Sequence, residues 1–226
     1  MDLNDKVVVV TGALGSLGRA VSGAAAKLGA TVVAVDVVDG EPAAGVNASP
    51  ALDLSDAAAT AAAMVAIAEK YGRIDALVNI AGGFRWETVE EGSIDSWDFL
   101  YQINVRTAVN ASKGALPHFP ASGGRIVNIS AAGSIKADVG MGAYAASKSG
   151  VSRFTESLAE ELKSRDITVN AVMPSIIDTK PNRDAMPDAD YATWVTPEAL
   201  ANVILFLVSD QAAAVTGALI PVVGRV

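Results

Sequence analysis

Val7-Val8-Val9-Val10-Thr11-Gly12-Ala13-Leu14-Gly15-Ser16-Leu17-Gly18 is the stretch that decides the fold. Four β-branched residues in a row suit a strand buried on both faces, because alternate side chains point to opposite sides of a sheet. Gly12-x-x-Gly15-x-x-Gly18 then interrupts the run before a helical stretch from about Ser16 to Leu28, closed by Gly29. Glycine lets a backbone turn sharply, approach a pyrophosphate and pack a helix close to a sheet. The amino terminus of that helix, with Gly15, Ser16, Leu17 and Gly18, would offer unpaired N–H groups and partial positive charge to phosphates.

Outward from this turn the pattern alternates. Thr31 to Val35 is a second β-branched run, Ala57 to Tyr71 an Ala-rich helix stopped by Gly72, and Ile74 to Ile80 a third strand. Arg125 to Ile129, Ile167 to Val172 and Ala218 to Val222 read as further strands, with helices over Tyr144 to Lys163 and Pro197 to Val208. Short apolar strands interleaved with helices predict a Rossmann-type α/β fold: a doubly wound parallel sheet with helices on both faces. One domain over 1–226 is expected. The irregular stretches are Asp36 to Leu52 and Ile176 to Thr196; the second follows a strand's carboxyl end and predicts a substrate lid over about 176–196.

Composition narrows the function classes. The 226 residues carry 17 basic and 25 acidic side chains, a net charge of −8, so nucleic acid is excluded as an expected partner. Zero cysteines and a single histidine, His118, exclude thiolate catalysis, disulfides and a multi-histidine metal site within one chain, and no metal is expected. No run of 18 apolar residues predicts a membrane span. Residues 1–5 lack the basic region and apolar block of a secretory signal, so a cytoplasmic location is expected.

Three further features point to dinucleotide chemistry. Asp36 follows the second strand, where a carboxylate can accept hydrogen bonds from both ribose hydroxyls of an adenosine and repel a 2′-phosphate, favouring NAD over NADP. Asp53 and Leu54 stand where they could bracket the adenine. Tyr144-Ala-Ala-Ser-Lys148 places a phenol and an ammonium on one helix face, where the cation could stabilise a phenolate.

With these motifs in order, the chain resembles the short-chain dehydrogenase/reductase family along nearly its whole length. The matching features are Thr11-Gly12 with its glycines, Asn79-Ile80-Ala81-Gly82, Asn104 in Gln102-Ile103-Asn104-Val105, Arg125 to Ser130, Tyr144-x-x-x-Lys148, and Pro174 to Thr179. The resemblance implies an NAD-dependent oxidoreductase that moves a hydride between nicotinamide and a carbonyl or secondary alcohol of a small molecule. It implies Tyr144 as the acid/base and Lys148 as the group that lowers its pKa and holds the nicotinamide ribose. Asn104 would anchor a water, Asn79, Ala81 and Gly82 would line the adenosine ribose, and Pro174, Ile177 and Thr179 belong to the segment that would hold the nicotinamide amide. Homo-dimers or homo-tetramers are implied as well.

The chain departs from the family pattern in three places. Ser16 takes the middle glycine's place and Gly15 comes one residue early. Ser175 and Lys180 replace the usual glycine and proline near Thr179. Ser130 stands within reach of the catalytic-serine position, yet register counted from Arg125 puts Ala131 in that slot, with Ser134 a third candidate. A narrower resemblance, to dihydropteridine reductases, rests on Gly12-x-x-Gly15-x-x-Gly18, Val35-Asp36-Val37-Val38, Ala81-Gly82-Gly83-Phe84, a glycine before the Tyr144 region, Gly217 to Ile220, and Asp178-Thr179-x-x-Asn182-Arg183-x-x-Met186-Pro187-x-Ala189-Asp190 with Trp194. That branch works without the usual serine, and it supplies an alternative substrate class. Phe84, Trp86, Met141, Met186 and Trp194 are candidates for a substrate pocket, and Arg85 and Arg183 for polar contacts to substrate. A nucleotide-sensing protein without turnover is the non-enzyme alternative, which the paired Tyr144 and Lys148 argue against.

Overall fold

The structure, a computed structural model, describes residues 1–226. Its centre is β1 (Val7–Thr11), flanked by β2 (Thr31–Val35) and β4 (Ala76–Asn79). The short β3 (Asn47–Ala48) lies outside β2. On the other side follow β5 (Gly124–Ile129), β6 (Ile167–Pro174) and β7 (Leu219–Val222). All seven strands are parallel, in the order β3-β2-β1-β4-β5-β6-β7. The chain runs outward from β1 to β3, then crosses back to β4, so the order reverses between β1 and β4. In such sheets the crevice outside the carboxyl ends at the reversal is where ligands bind.

The valine run now has its physical explanation. Val8 and Val10 point to one face and join Val32, Ala34, Val78 and Val127 in a core beneath α1 (Ser16–Lys27) and α7 (Pro197–Val208). Val9 points to the other face, with Val33, Leu77, Ile126 and Val169. That face is covered by α2 (Ala57–Tyr71), α4 (Thr107–Ala115) and α5 (Gly142–Leu162). α2 and α7 begin at side-chain caps. The Asp56 carboxylate accepts the Ala58 and Ala59 N–H groups to cap α2, and Thr196 caps α7 one residue ahead of Pro197. Gly72, at φ +87°, ends α2 in the left-handed conformation.

The stretch between β4 and β5 holds α3 (Ile94–Tyr101), a π-helical segment over Gln102–Arg106, and α4, running as one continuous rod. Its start carries a legible signal, since the Ser93 hydroxyl caps α3 by accepting the Asp95 N–H. The two stretches expected to be irregular are partly ordered. β3 lies in the first; in the second, α6 (Lys180–Ala185) is followed by a parallel bridge between Ile177 and Val195. No helix is long and apolar enough to cross a membrane.

The glycine turn is packed unequally. A Cβ on Gly18 would overlap the Gly12 carbonyl oxygen and Ala13, whereas one on Gly15 would meet nothing closer than 3.4 Å. Replacing Gly18 by alanine should therefore cost about 3 kcal/mol, the upper end for overpacking, while Gly15→Ala, which has room for its methyl, should cost no more than about 1 kcal/mol for the poorer cap. Urea unfolding of the two variants checks this; equal losses would contradict it.

Candidate functional site

The site assembles at the sheet reversal. Thr11, the last residue of β1, accepts hydrogen bonds through Oγ1 from the Ile80 and Ala81 N–H groups at 3.0 and 3.2 Å. This draws the turn after β4 against the glycine turn after β1. The approach is close: a Cβ on Gly12, whose φ is +61°, would lie 2.8 Å from the Ala81 nitrogen. α1 begins directly above, with Gly15 at its cap and no side chain capping it. The first-turn N–H groups of Ser16, Leu17 and Gly18 have no partner within the helix by its geometry.

Asp36 stands at the carboxyl end of β2. One carboxylate oxygen accepts the Leu14 N–H at 2.8 Å and the other the Val37 N–H at 2.8 Å, so the carboxylate is fixed beside the glycine turn. Each oxygen keeps a lone pair for a further donor. An open helix terminus, a tight glycine turn and a fixed carboxylate beyond them fit the pyrophosphate and adenosine ribose of a nicotinamide dinucleotide.

Asp53 and Leu54 differ in exposure. The exposed Asp53 carboxylate accepts the Ser55 N–H, and hydrogen bonds from Ser55, then the Arg106 charge, hold its pKa below the ordinary value. The Leu54 side chain turns inward and packs in the core with Met64 and Val35, so any contact to an adenine falls to its backbone. Asn79 needs a second correction. Its amide lies under the sheet, donating to Asn128 Oδ1 at 2.8 Å and Ser112 Oγ at 3.1 Å, rather than lining a ribose. Of that motif, Ala81 is partly buried and Gly82 exposed.

Asn104 lies in the π-helical segment, buried, with every polar atom engaged. Its Oδ1 accepts the Gly83 N–H at 2.9 Å, while Nδ2 donates to the Gly83 carbonyl at 3.1 Å and to Ser147 Oγ at 3.0 Å. A Cβ on Gly82 would collide with Asn104 Oδ1, which explains why glycine stands there. Ser147, which sequence reasoning passed over, donates to the Tyr144 carbonyl at 2.7 Å and so ties Asn104 to the helix bearing Tyr144 and Lys148. Its place three residues after Tyr144 was the available signal, since i,i+3 positions share a helix face.

Lys148 is buried and its Nζ donates to the Ile129 carbonyl at 2.8 Å. The ammonium lies 6.0 Å from the centre of the Tyr144 ring. Burial pushes Lys148 down to about 8 and Tyr144 up to about 12. The expected depression of the tyrosine by the lysine is therefore not what this geometry produces: desolvation of the phenol outweighs a cation occupied by a carbonyl.

Ser130 is corrected too. Its hydroxyl is buried, donates to the Lys148 carbonyl at 3.0 Å and shares a 2.8 Å hydrogen bond with Ser152. It points into the packing between β5 and α5 and cannot orient a substrate. Ala131 follows it, and Ser134 lies beyond, 3.4 Å from Ser152 Oγ, with its own Oγ 3.6 Å from the Met173 sulfur.

Pro174 ends β6, and the segment after it is strapped down. The Asp178 N–H donates to the Val195 carbonyl at 2.8 Å, and the Val195 N–H to the Ile176 carbonyl at 3.0 Å. Ile177 packs against the α1/α7 core and Thr179 caps α6. Asp178 pairs with Arg183, whose guanidinium lies over Tyr191, and the buried Trp194 packs on the same ring. Arg183 and Trp194 therefore hold this segment together; Trp194 is buried, whereas the Arg183 side chain is half exposed and lines an open surface cavity with Thr179, Asp184 and Glu198. Arg85 likewise donates to Ser96 Oγ and stacks on Phe99. Phe84 and Trp86 remain exposed at the mouth, Phe84 standing edge-on to Tyr144 with ring centres 4.9 Å apart.

The model of the short chain dehydrogenase family matches residues 6–190. The chain is 34% identical to 3-oxoacyl-(acyl-carrier-protein) reductase FabG of Thermotoga maritima, over 99% of this chain and 98% of the relative. It is also 34% identical to meso-2,3-butanediol dehydrogenase of Serratia marcescens, over 99% of this chain and 95% of the relative. Among solved structures, carveol dehydrogenase from Mycobacterium avium in complex with NAD superposes with a TM-score of 0.87 at 26% identity, covering 98% of this chain and 97% of that one. The chain belongs to the short-chain dehydrogenase/reductase family, a family of oxidoreductases that bind a nicotinamide cofactor.

The buried lysine generates a pH signature. Below about 8 Lys148 is charged in both folded and unfolded chains, and the fold bears the desolvation cost in full. Between about 8 and 10.5 the unfolded chain binds the extra proton, so stability rises with pH across that window. From pH 7 to 10 the parent should gain on the order of 2 kcal/mol relative to Lys148→Met. Urea unfolding of both proteins across this range measures it, and parallel stability curves would contradict it.

Proposed function

We propose that this protein is an NAD(H)-dependent oxidoreductase that interconverts a carbonyl and a secondary alcohol on a small molecule, with Tyr144 as acid/base. The observation that carries the reading is the convergence on one crevice of the uncapped start of α1, the Asp36 carboxylate, and the Tyr144–Lys148 pair on α5. The relatives named for keto reduction and diol oxidation support the substrate class, and the NAD-bound structural neighbour supports the cofactor.

Asp36 selects NAD in this reading: its fixed carboxylate would accept ribose hydroxyls and repel a 2′-phosphate. Bound nicotinamide supplies the hydride. The protein supplies the proton and the orientation. A phenol held near 12 is fully protonated at neutral pH and ready to donate to an oxygen gaining negative charge. Lys148, held by Ile129, is positioned to contact a ribose and to replace the tyrosine's proton. Asn104 fixes Gly83 and, through Ser147, the helix turn that carries Tyr144. The segment 176–196 would close over the substrate as a lid, and the apolar Ile94, Trp97 and Tyr101 exposed along α3 support assembly as a homo-dimer or homo-tetramer.

A second reading, an NADH-dependent reductase of dihydropteridine type, is favoured by one observation. With Ser130 turned into the core and Ala131 beside it, no serine of that strand end donates to the substrate, and Tyr144 would serve as the proton donor without that help.

Fluorescence titration with NADH and NADPH tests both readings at their shared root. The parent should bind NADH at least about tenfold more tightly than NADPH, a difference of about 1.4 kcal/mol, and Asp36→Ala should narrow the gap. Tyr144→Phe should keep NADH affinity and lose carbonyl reduction by about a hundredfold or more. Binding of neither cofactor below millimolar concentration would overturn the proposal.

A further inference from the structure

The loop after β4 contains an exposed aromatic side chain that is held still from both sides. Phe84 is 54% exposed, yet its ring stands nearly perpendicular to that of Tyr144, at 83°. On its amino-terminal side, both backbone polar groups of Gly83 are bonded to the Asn104 side chain, and Ile103 leaves no room for a Cβ on Gly83. On its carboxyl-terminal side Arg85 is anchored on Ser96 and Phe99.

One residue further, the indole of Trp86 lies flush on Gly140. A Cβ there would overlap the ring at Cε2, and Gly140 has φ +75°, so both contact and conformation call for glycine. The Glu87 N–H donates to the Gly140 carbonyl at 2.9 Å and closes the contact. Gly140 lies two residues before α5, and the Ala145 N–H reaches back to Met141 at 2.7 Å. The Trp86 contact thus joins the loop carrying Phe84 to the root of the helix carrying Tyr144. Phe84, half-exposed on a loop with this many fixed points, thus stands as a wall against the Tyr144 ring, with Trp86 behind it on Gly140.

We infer that Trp86 and Gly140 form a latch that holds Phe84 as a fixed wall over Tyr144 and thereby sets the width and dryness of the substrate entrance. Trp86 and Gly140 are positioning residues here: they act through Phe84 and the start of α5 and touch no reacting atom. The inference rests on the reading of Tyr144 as the acid/base, because only then does the wall bear on substrate selection. Opening the latch swings Phe84 away, lets water reach the phenol, and widens the entrance.

The test is an ultraviolet difference titration of tyrosine ionisation in the parent, Trp86→Ala and Gly140→Ala. Each protein is compared with its Tyr144→Phe counterpart so that the difference isolates Tyr144, and circular dichroism confirms that the fold persists over the range used. Tyr144 should ionise lower by about one unit or more in both latch variants, as a buried phenol does on gaining water. NADH titrations of the same proteins should give affinities within about twofold of the parent, well under the 1.4 kcal/mol that a tenfold change represents. An unmoved Tyr144 titration in Trp86→Ala overturns the latch, even if Gly140→Ala fails to fold. If the titration shifts as expected but the parent binds no NADH, the latch stands and the oxidoreductase reading of this crevice fails.

Discussion

The contact between two backbone turns at the sheet reversal is the constraint on which the remaining structure depends. Gly12 and Ala81 approach so closely that no side chain fits between them, and the Thr11 hydroxyl fastens the pair by accepting two N–H groups. That contact aims the start of α1 across the carboxyl ends of the strands and leaves its first N–H groups without partners. It also delivers Gly82 and Gly83 to the side chain of Asn104, which in turn grips the catalytic-helix candidate α5 through Ser147. A substitution that wedged the turns apart would disturb the phosphate end and the tyrosine end together. The valine-rich strand beneath them supplies the rigidity, because its side chains are buried on both faces.

The second organising feature is electrostatic and costs stability. Lys148 is buried with a single carbonyl bonded to its ammonium, while Tyr144 sits in an environment that disfavours its anion. A structural helix has no reason to bury a lysine beside a phenol with so few partners. Burial disfavours the charged form of each group, which lowers the lysine and raises the tyrosine. The saturation of Asn104 has a related consequence. With its amide spent on Gly83 and Ser147, that side chain acts as a clamp, and any water it organises must be held by backbone instead.

Much of this was legible in the residues. The β-branched run Val7 to Val10, buried on both faces, the glycine turn, Pro197 in the first turn of α7 and the stop at Gly72 each have a local cause, so strand and helix limits emerged close to their observed places. The rod from Ile94 to Ala115 was less legible, because its middle is a π-helical segment with no sequence period of its own. β3 is two exposed residues at the sheet edge, too short for any pattern. At the site, residue identity was more legible than orientation. Ser130, Asn79 and Leu54 stand near the expected ends of their elements, but each side chain turns into the core. A one-residue shift along a strand exchanges its faces, and composition does not fix that choice. The sign of the Tyr144 shift was equally hidden, since it depends on how deeply the ring is enclosed.

The measurement that bears most directly on the central claim is a crystal structure of the protein with NADH. The account places the pyrophosphate on the N–H groups of Ser16 to Gly18 and the adenosine ribose hydroxyls within about 3 Å of the Asp36 carboxylate, with the reactive nicotinamide carbon facing Tyr144. NADH bound away from this crevice, or turned so that its nicotinamide lies far from Tyr144, would contradict it.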